Sequence, residues 1–397
     1  MPIDVARARA ETPGCSEVVH FNNAGASLMP RTVLEAVKDH LDLEARIGGY
    51  EAANREKDRW EHTYDAVARL LSCRRDEVAI VENATRAWDM ACYAVPLGAG
   101  DRILTARAEY VSNYLAFLQL TRRTGALVEV VPNDASGQVD VSALRGMMDD
   151  RVKLIAVTHV PTNGGLVNPV AEVGKVARDA GVLFLVDACQ SAGQMPLDVA
   201  AIGCDMLSAT GRKFLRGPRG TGFLYVRSSV LERLEPPFVD LHAAAWVAQD
   251  RYEWRADARR FENWETNYAT KIGLGVAVDY ALDWGLDAIW ERVRALAAQL
   301  RERLAVVPGV TVRDLGAVKS GIVTFTVDGL EATAVRDALL ARRINTSVSF
   351  VEFARLDMEP RGLTQMVRAS VHYYNTEEEI ERLRAAVAAL RPTRPAR

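Results

Sequence analysis

The chain has 397 residues, 49% hydrophobic and 25% charged, with 49 basic against 52 acidic side chains and a formal net charge of −3. That length accommodates two or three domains of roughly 100–200 residues with ample core. The near balance of charge, without a long run of either sign, argues against a nucleic-acid partner or a polybasic membrane anchor.

The opening MPIDVARARAETPG lacks the apolar stretch of a secretory signal, and no window reaches about 18 uninterrupted apolar residues, so a cytoplasmic protein that spans no membrane is expected. PRTVLEAVKDHLDLEAR and REKDRWEHTYDAVARLL then space their apolar residues as helices do, with His40 and His62 expected to be partly solvated. Beyond them DEVAIV, DRILTA, ALVEVVP, VKLIAVTHV and VLFLVDA read as short strands. The helical stretches TRAWDMACYAV, YVSNYLAFLQLTRR and VAEVGKVARDAG lie between them. Apolar runs alternating with helices predict an α/β fold whose mainly parallel sheet is buried on both faces. DMLSA and GTGFLYV continue the sheet, and Gly217, Pro218 and Gly220 mark the turn between them. From about Ala269 two long amphipathic helices, roughly 269–285 and 287–305, lead into a smaller α+β pattern that ends in a helix from Thr376. The expected organisation is a large α/β domain over 16–265 and a small domain over 266–397, with residues 1–15 available to pack on the latter.

Asp187 ends the apolar run VLFLV, and Lys213 follows the next strand in SATGRKFLRGPRGTG. Alone, the aspartate reads as a helix cap and the lysine as a solvated loop residue. Ligands of open α/β sheets bind beyond the carboxyl ends of the strands. The spacing, the intervening strand and the glycine-rich turn therefore point to a pyridoxal phosphate site. An amine there bonds the cofactor's aldehyde, and a carboxylate keeps its pyridine nitrogen protonated. Only seven residues of the chain are lysine, which narrows the search.

LVDACQSAG followed by SATGRKFLRGPRGTGFLYV resembles the class V aminotransferase family, fold-type-I pyridoxal phosphate enzymes that include cysteine desulfurases, isopenicillin N epimerase-like proteins and C–S lyases. FNNAGASLMP, VENATRAW, THVPTNGGLVNP, RFENWETN and VRASVHYYNTEEEI follow the family's order, so the resemblance covers nearly the whole chain. It implies a homodimer. It makes Lys213 the Schiff-base lysine, Asp187 the partner of the pyridine nitrogen and Gln190 a contact to the cofactor's phenolic oxygen. Ala84, Thr85, Thr210 and Arg212 fall at phosphate positions, Arg212 standing where desulfurases have His. Thr85 opens a helix, whose N-terminus attracts anions. Tyr110 matches the aromatic residue that stacks on the ring, its alternative being an ordinary helix-start tyrosine. Glu265 stands where relatives reach the neighbouring subunit's phosphate; a carboxylate is unsuited to that, and contact with Arg212 or the substrate is expected instead.

On the substrate side, Arg368 matches the family's carboxylate-binding arginine, a role suited to its bidentate fork. Asn23 and Gly25 of FNNAGAS are the other substrate candidates. In desulfurases a loop after INTS carries a catalytic cysteine; here Phe350 stands near that position, and Asn345 replaces an arginine. Cys15, Cys73, Cys92, Cys189 and Cys204 form no CxxC pair, and none lies beyond residue 204. No disulfide framework or structural zinc is expected, and Cys189 reads as a packing residue. The six histidines show no metal-ligand spacing, though His159 ends a strand close enough to approach the cofactor. Trp246, Tyr252, Trp254 and Trp264 either grip a bulky substrate or form a dimer contact. The function expected is a C–S lyase acting on a cysteine S-conjugate in a specialised biosynthetic pathway, with an aminotransferase or epimerase as the alternative.

Overall fold

The computed structural model describes residues 2–390. After a short helix at Val5–Ala10, helices α1 (Arg31–Ile47) and α2 (Lys57–Leu71) precede the sheet. The alternating part then runs β1 (Val78–Val81), α3 (Ala84–Cys92), β2 (Arg102–Thr105), α4 (Val111–Thr124), β3 (Leu127–Val130), β4 (Val152–Thr158), α5 (Val170–Ala180), β5 (Leu183–Asp187), β6 (Met206–Thr210) and β7 (Gly222–Val226). These strands form a seven-stranded sheet in the order β1-β7-β6-β5-β4-β2-β3. Only β7 runs against its neighbours; β2 to β6 are parallel to one another. Every residue of β5, β6 and β7 is buried, as a sheet covered on both faces requires.

A hairpin of β8 (Ala244–Ala248) and β9 (Arg251–Trp254) interrupts this layer before the long helices α6 (Tyr268–Trp284) and α7 (Leu286–Ala305). The former is apolar nearly all round and packs across α1 and α2. A four-stranded antiparallel sheet follows, built from β10 (Val310–Val312), β11 (Ile322–Val327), β12 (Ser347–Phe350) and β13 (Gln365–Ser370) in the order β10-β11-β13-β12. Helices α8 (Ala332–Leu340) and α9 (Glu377–Ala388) complete the C-terminal part, and a Thr376–Glu379 capping box starts α9.

The N-terminal segment is tied to this part of the chain. Val19–His20 pairs in parallel with Ile344–Asn345, and Arg9 forms a 2.8 Å ion pair with Glu379. His62 is half-exposed beside Asp279, as its helical position implies, whereas His40 is buried inside α1 instead of being partly solvated. Among the described residues no helix is long and apolar enough to cross a membrane.

Candidate active site

The carboxyl ends of the parallel strands surround a cavity of about 500 Å³, the position that this topology favours for ligands. Asp187, the last residue of β5, is buried on its wall. Its Oδ1 accepts the Cys189 N–H at 2.8 Å and its Oδ2 accepts from Asn113 Nδ2 at 2.9 Å. Burial pushes the Asp187 carboxyl above the ordinary range, opposed first by the charge of Lys213 and then by these two donors.

Lys213 follows β6 in a turn that is fixed from behind. The Arg216 N–H donates to the Lys213 carbonyl at 2.9 Å, and Arg216 itself adopts φ 61°. Such a non-glycine left-handed residue costs about 1–3 kcal/mol. The buried Arg216 guanidinium offsets this by bonding the Leu28 carbonyl at 2.9 Å, the Tyr373 hydroxyl at 2.6 Å and the Thr12 hydroxyl. Thus held, Lys213 extends Nζ into the cavity, 3.3 Å from Cys189 Sγ.

At the other end, β1 gives way to α3 through Glu82 and Asn83, and Ala84 and Thr85 line the cavity. Asn83 caps the helix by accepting the Arg86 N–H at 2.9 Å, leaving other first-turn amides for an anion. Gly222 permits the approach: a Cβ there would lie 2.6 Å from the Asn83 carbonyl carbon, so only glycine lets β7 run against this helix start. Arg212 donates to Thr210 Oγ1 at 3.2 Å, and both line the same end.

Between the two ends lie Tyr110 and Gln190. Gln190 Nε2 donates to the Ala24 carbonyl at 3.0 Å and to Thr162 Oγ1 at 2.7 Å, while its buried Oε1 has no partner among the described residues. A buried polar atom without a partner indicates a ligand atom at that point. This donor set fits pyridoxal phosphate: an amine for the aldehyde, a carboxylate for the ring nitrogen, an aromatic wall, and a helix N-terminus with an arginine for the phosphate.

Arg368, on β13, is buried behind Thr162. Its Nη1 donates to the Thr162 hydroxyl at 2.8 Å and carbonyl at 3.1 Å, its Nη2 reaches Asn22 Oδ1 at 3.4 Å, and its Nε has no partner. Burial draws its guanidinium down to about 10, so it stays charged at neutral pH.

Several sequence candidates sit elsewhere. Asn23 is spent internally: its amide donates to the Ser370 carbonyl at 2.7 Å and the His20 carbonyl at 3.2 Å, and its oxygen accepts the Tyr374 hydroxyl. Gly25 lies off the wall, packed against the Asn22 side chain that touches Arg368. Asn345 pairs with His20 at 3.1 Å. Glu265 is exposed on a second cavity of about 780 Å³, next to Trp264, and among the described residues forms no ion pair with Arg212. That second cavity shares Glu82 and Gly220 with the first. Trp246 and Tyr252 are exposed on the β8–β9 hairpin, outside the cavity. His159 is buried with Nδ1 unpartnered, and burial alone lowers it to about 4, so it is neutral.

Four wall or near-wall groups escape the sequence reading. Glu109 and Asn113 flank Tyr110 inside AEYVSN; Glu109 precedes the N-cap Tyr110 and accepts from Asn113, in the first turn of α4, at 2.9 Å. Thr162 sits in the turn after β4, and Cys189 lies two residues beyond Asp187, on the wall rather than in the packed interior.

The sequence model of the class-V aminotransferases matches residues 19–383. A probable cysteine desulfurase of Methanothermobacter thermautotrophicus is 30% identical over 94% of this chain and 95% of its own. One of Xylella fastidiosa is 32% identical over 94% of this chain and 91% of its own. Among solved structures, the cysteine desulfurase of Thermococcus onnurineus NA1 superposes with a TM-score of 0.90 at 29% identity, over 98% of both chains. The cystine C–S lyase C-DES, in complex with its product cysteine persulfide, gives 0.86 at 25% identity over 95% of this chain and 99% of its own. A further C-DES structure holds glycine covalently linked to its pyridoxal phosphate.

The fold and the site define a fold-type-I enzyme, and the chain belongs to the class-V aminotransferase family. Its cofactor is pyridoxal phosphate.

Proposed function

We propose that this enzyme cleaves the C–S bond of a cysteine S-conjugate by β-elimination and works as a cytoplasmic homodimer. The observation that carries the substrate class is Arg368. Among the described residues its buried guanidinium meets a hydroxyl, a carbonyl and an amide oxygen but no carboxylate, and it bonds Thr162, which lines the same cavity as Lys213. A desolvated, incompletely paired cation is costly, and an amino acid's α-carboxylate supplies the missing partner with bidentate geometry.

In this proposal Asp187, oriented by Asn113 and the Cys189 N–H, holds the ring nitrogen protonated, and Thr85, Thr210, Arg212 and the start of α3 hold the phosphate. Tyr110 forms the aromatic wall over the ring, and Gln190 meets the ring's phenolic oxygen. The bound cofactor withdraws electrons from the substrate α-carbon. Lys213 takes the α-proton on Nζ and returns it to the departing sulfur, which leaves the β-carbon as a thiol; the released three-carbon 2-aminoacrylate takes up one water and becomes pyruvate and ammonia. Phe350 closes β12 where a desulfurase-like chain carries its reactive thiol, so released sulfur leaves uncaptured.

Capture of sulfur by a protein thiol is the second reading, and Cys189 is the observation that favours it: it faces the cavity beside Lys213. Burial pushes that thiol up, which keeps it protonated and weakly nucleophilic. The experiment that separates the readings is product analysis with S-alkyl cysteines and cystine. Elimination gives pyruvate, ammonia and a free thiol or, from cystine, cysteine persulfide; transamination gives a sulfur-retaining keto acid, epimerisation the D-isomer, and capture, with cystine as substrate, moves the outer sulfur of cysteine persulfide onto Cys189 as cysteine leaves.

The homodimer is supported by the β8–β9 hairpin, where Trp246 is 80% and Tyr252 44% exposed, an aromatic surface that suits a partner. A single monomeric species by sedimentation at micromolar concentration, with full activity, would contradict it.

A further inference from the structure

Behind Asp187 lies a second carboxyl group with no established part in the chemistry. Glu109 stands between β2 and α4 and is 5% exposed. Its Oε1 accepts the Tyr110 N–H at 2.7 Å, Asn113 Nδ2 at 2.9 Å and the Thr158 hydroxyl. Its Oε2 accepts the Thr105 hydroxyl at 3.1 Å and the Thr158 N–H at 3.3 Å. The same Asn113 nitrogen donates its other hydrogen to Asp187 Oδ2 at 2.9 Å. One amide nitrogen therefore joins the two carboxyl groups, and the side chain of Asp187 cannot turn without breaking a bond that Glu109 holds in place.

The charge balance around this bridge is incomplete. From β2, β4 and α4 Glu109 meets only neutral donors, Thr105, Thr158, Tyr110 and Asn113. The titratable groups acting on it are Asp187 from β5 and, farther off, the protonated thiol of Cys92 from α3, while Asp357 and Arg361, which line a small cavity with Glu109, are paired to each other at 2.8 Å. Lys213, the cation on the cavity wall, acts on Asp187. Burial and the Asp187 charge raise Glu109 to about 7, whereas the five donors favour its ionised form. A protonated ring nitrogen brought to Asp187 adds the positive charge that the pair lacks.

We propose that Glu109 is a positioning residue that fixes Asp187 through Asn113 and releases its proton to solvent when pyridoxal phosphate binds with its ring nitrogen already protonated. This rests on Asp187 as the partner of the ring nitrogen and goes beyond it by making cofactor uptake proton-linked. The sign follows from linkage: binding lowers the proton affinity of Glu109, so cofactor affinity falls as pH drops below about 7, by up to tenfold per pH unit from this group. Glutamine at 109 imitates the protonated acid.

The test is titration of the apoprotein with pyridoxal phosphate from pH 5.5 to 8.5, read by the visible absorption band, for wild type, Glu109→Gln and Asp187→Asn. Glu109→Gln should match wild type at pH 5.5, bind at least tenfold more weakly at pH 8, and show a shallower pH slope. Parallel slopes for wild type and Glu109→Gln, with Asp187→Asn weakened throughout, would overturn the role of Glu109 while sparing that of Asp187. Unchanged affinity in Asp187→Asn would overturn both. A readout without substitution is the infrared difference spectrum of wild type on cofactor uptake at pH 6. It should lose a protonated-carboxyl carbonyl band, and its absence would also overturn the proposal.

Discussion

The Nζ of Lys213 lies 3.3 Å from the Sγ of Cys189, and both face the cavity that contains Asp187. A thiol thus sits beside the proposed cofactor lysine, although Phe350 on β12 stands near the position at which the sequence resemblance expects a desulfurase's catalytic cysteine. The two candidate fates of sulfur, release and capture, reduce to whether that thiol takes part.

Removing it decides the point. If released sulfur is not captured, Cys189→Ala should stay folded and yellow, with kcat for elimination within a small factor of wild type. The other four cysteines should be equally dispensable apart from packing losses at buried Cys92 and Cys204. A specific collapse of turnover in Cys189→Ala, with a persulfide on Cys189 in the wild type, would establish capture instead.

Arg368→Lys tests the substrate carboxylate. Lysine cannot reproduce the bidentate fork, so breaking a buried charge-assisted pair should cost about 2–4 kcal/mol in kcat/KM. The cofactor spectrum should stay unchanged, because Arg368 is assigned to substrate. Equal losses with a substrate that lacks the α-carboxylate would contradict the assignment.

Asp187→Ala should weaken cofactor binding by about tenfold or more, the expected effect of losing a charge-assisted hydrogen bond. It should also slow exchange of the substrate α-proton for deuterium. Unchanged exchange in the loaded variant would remove Asp187 from its proposed role.

The strand-end logic was legible because β5 is an unbroken apolar run that ends on Asp187, and β6, buried throughout, ends on Thr210 just before Lys213. Parallel strands cannot continue into water without a change of residue type, so their ends mark the site. Asn23 was misleading for the opposite reason: a polar residue in FNNAGAS looks available, yet Ser370, His20 and Tyr374, distant in sequence, use every polar atom it has. Cys189 was not legible as a wall residue because which way a side chain points after a strand end depends on tertiary packing, and Asn113 was not because the packing of α4 against the sheet decides which of its faces meets Asp187.

His159 provides a pH test of burial. Its folded-state value of about 4 lies below the ordinary 6.5, so the unfolded chain binds more protons between those limits. Its contribution to stability is complete above pH 6.5 and is lost as pH falls toward 4. Moving from pH 7 to pH 5 should cost about 2 kcal/mol through this group. His159→Leu should flatten that part of the pH dependence, as read by denaturant unfolding. An identical slope in the variant would show that His159 is not held neutral.

The most direct test of the central claim is reduction of the yellow holoenzyme with borohydride, followed by peptide mapping. The absorption band should bleach and the cofactor mass should remain on Lys213 alone. Labelling of Lys271, the buried lysine beside Tyr64, or of Lys175, with Lys213 unmodified, would contradict the account.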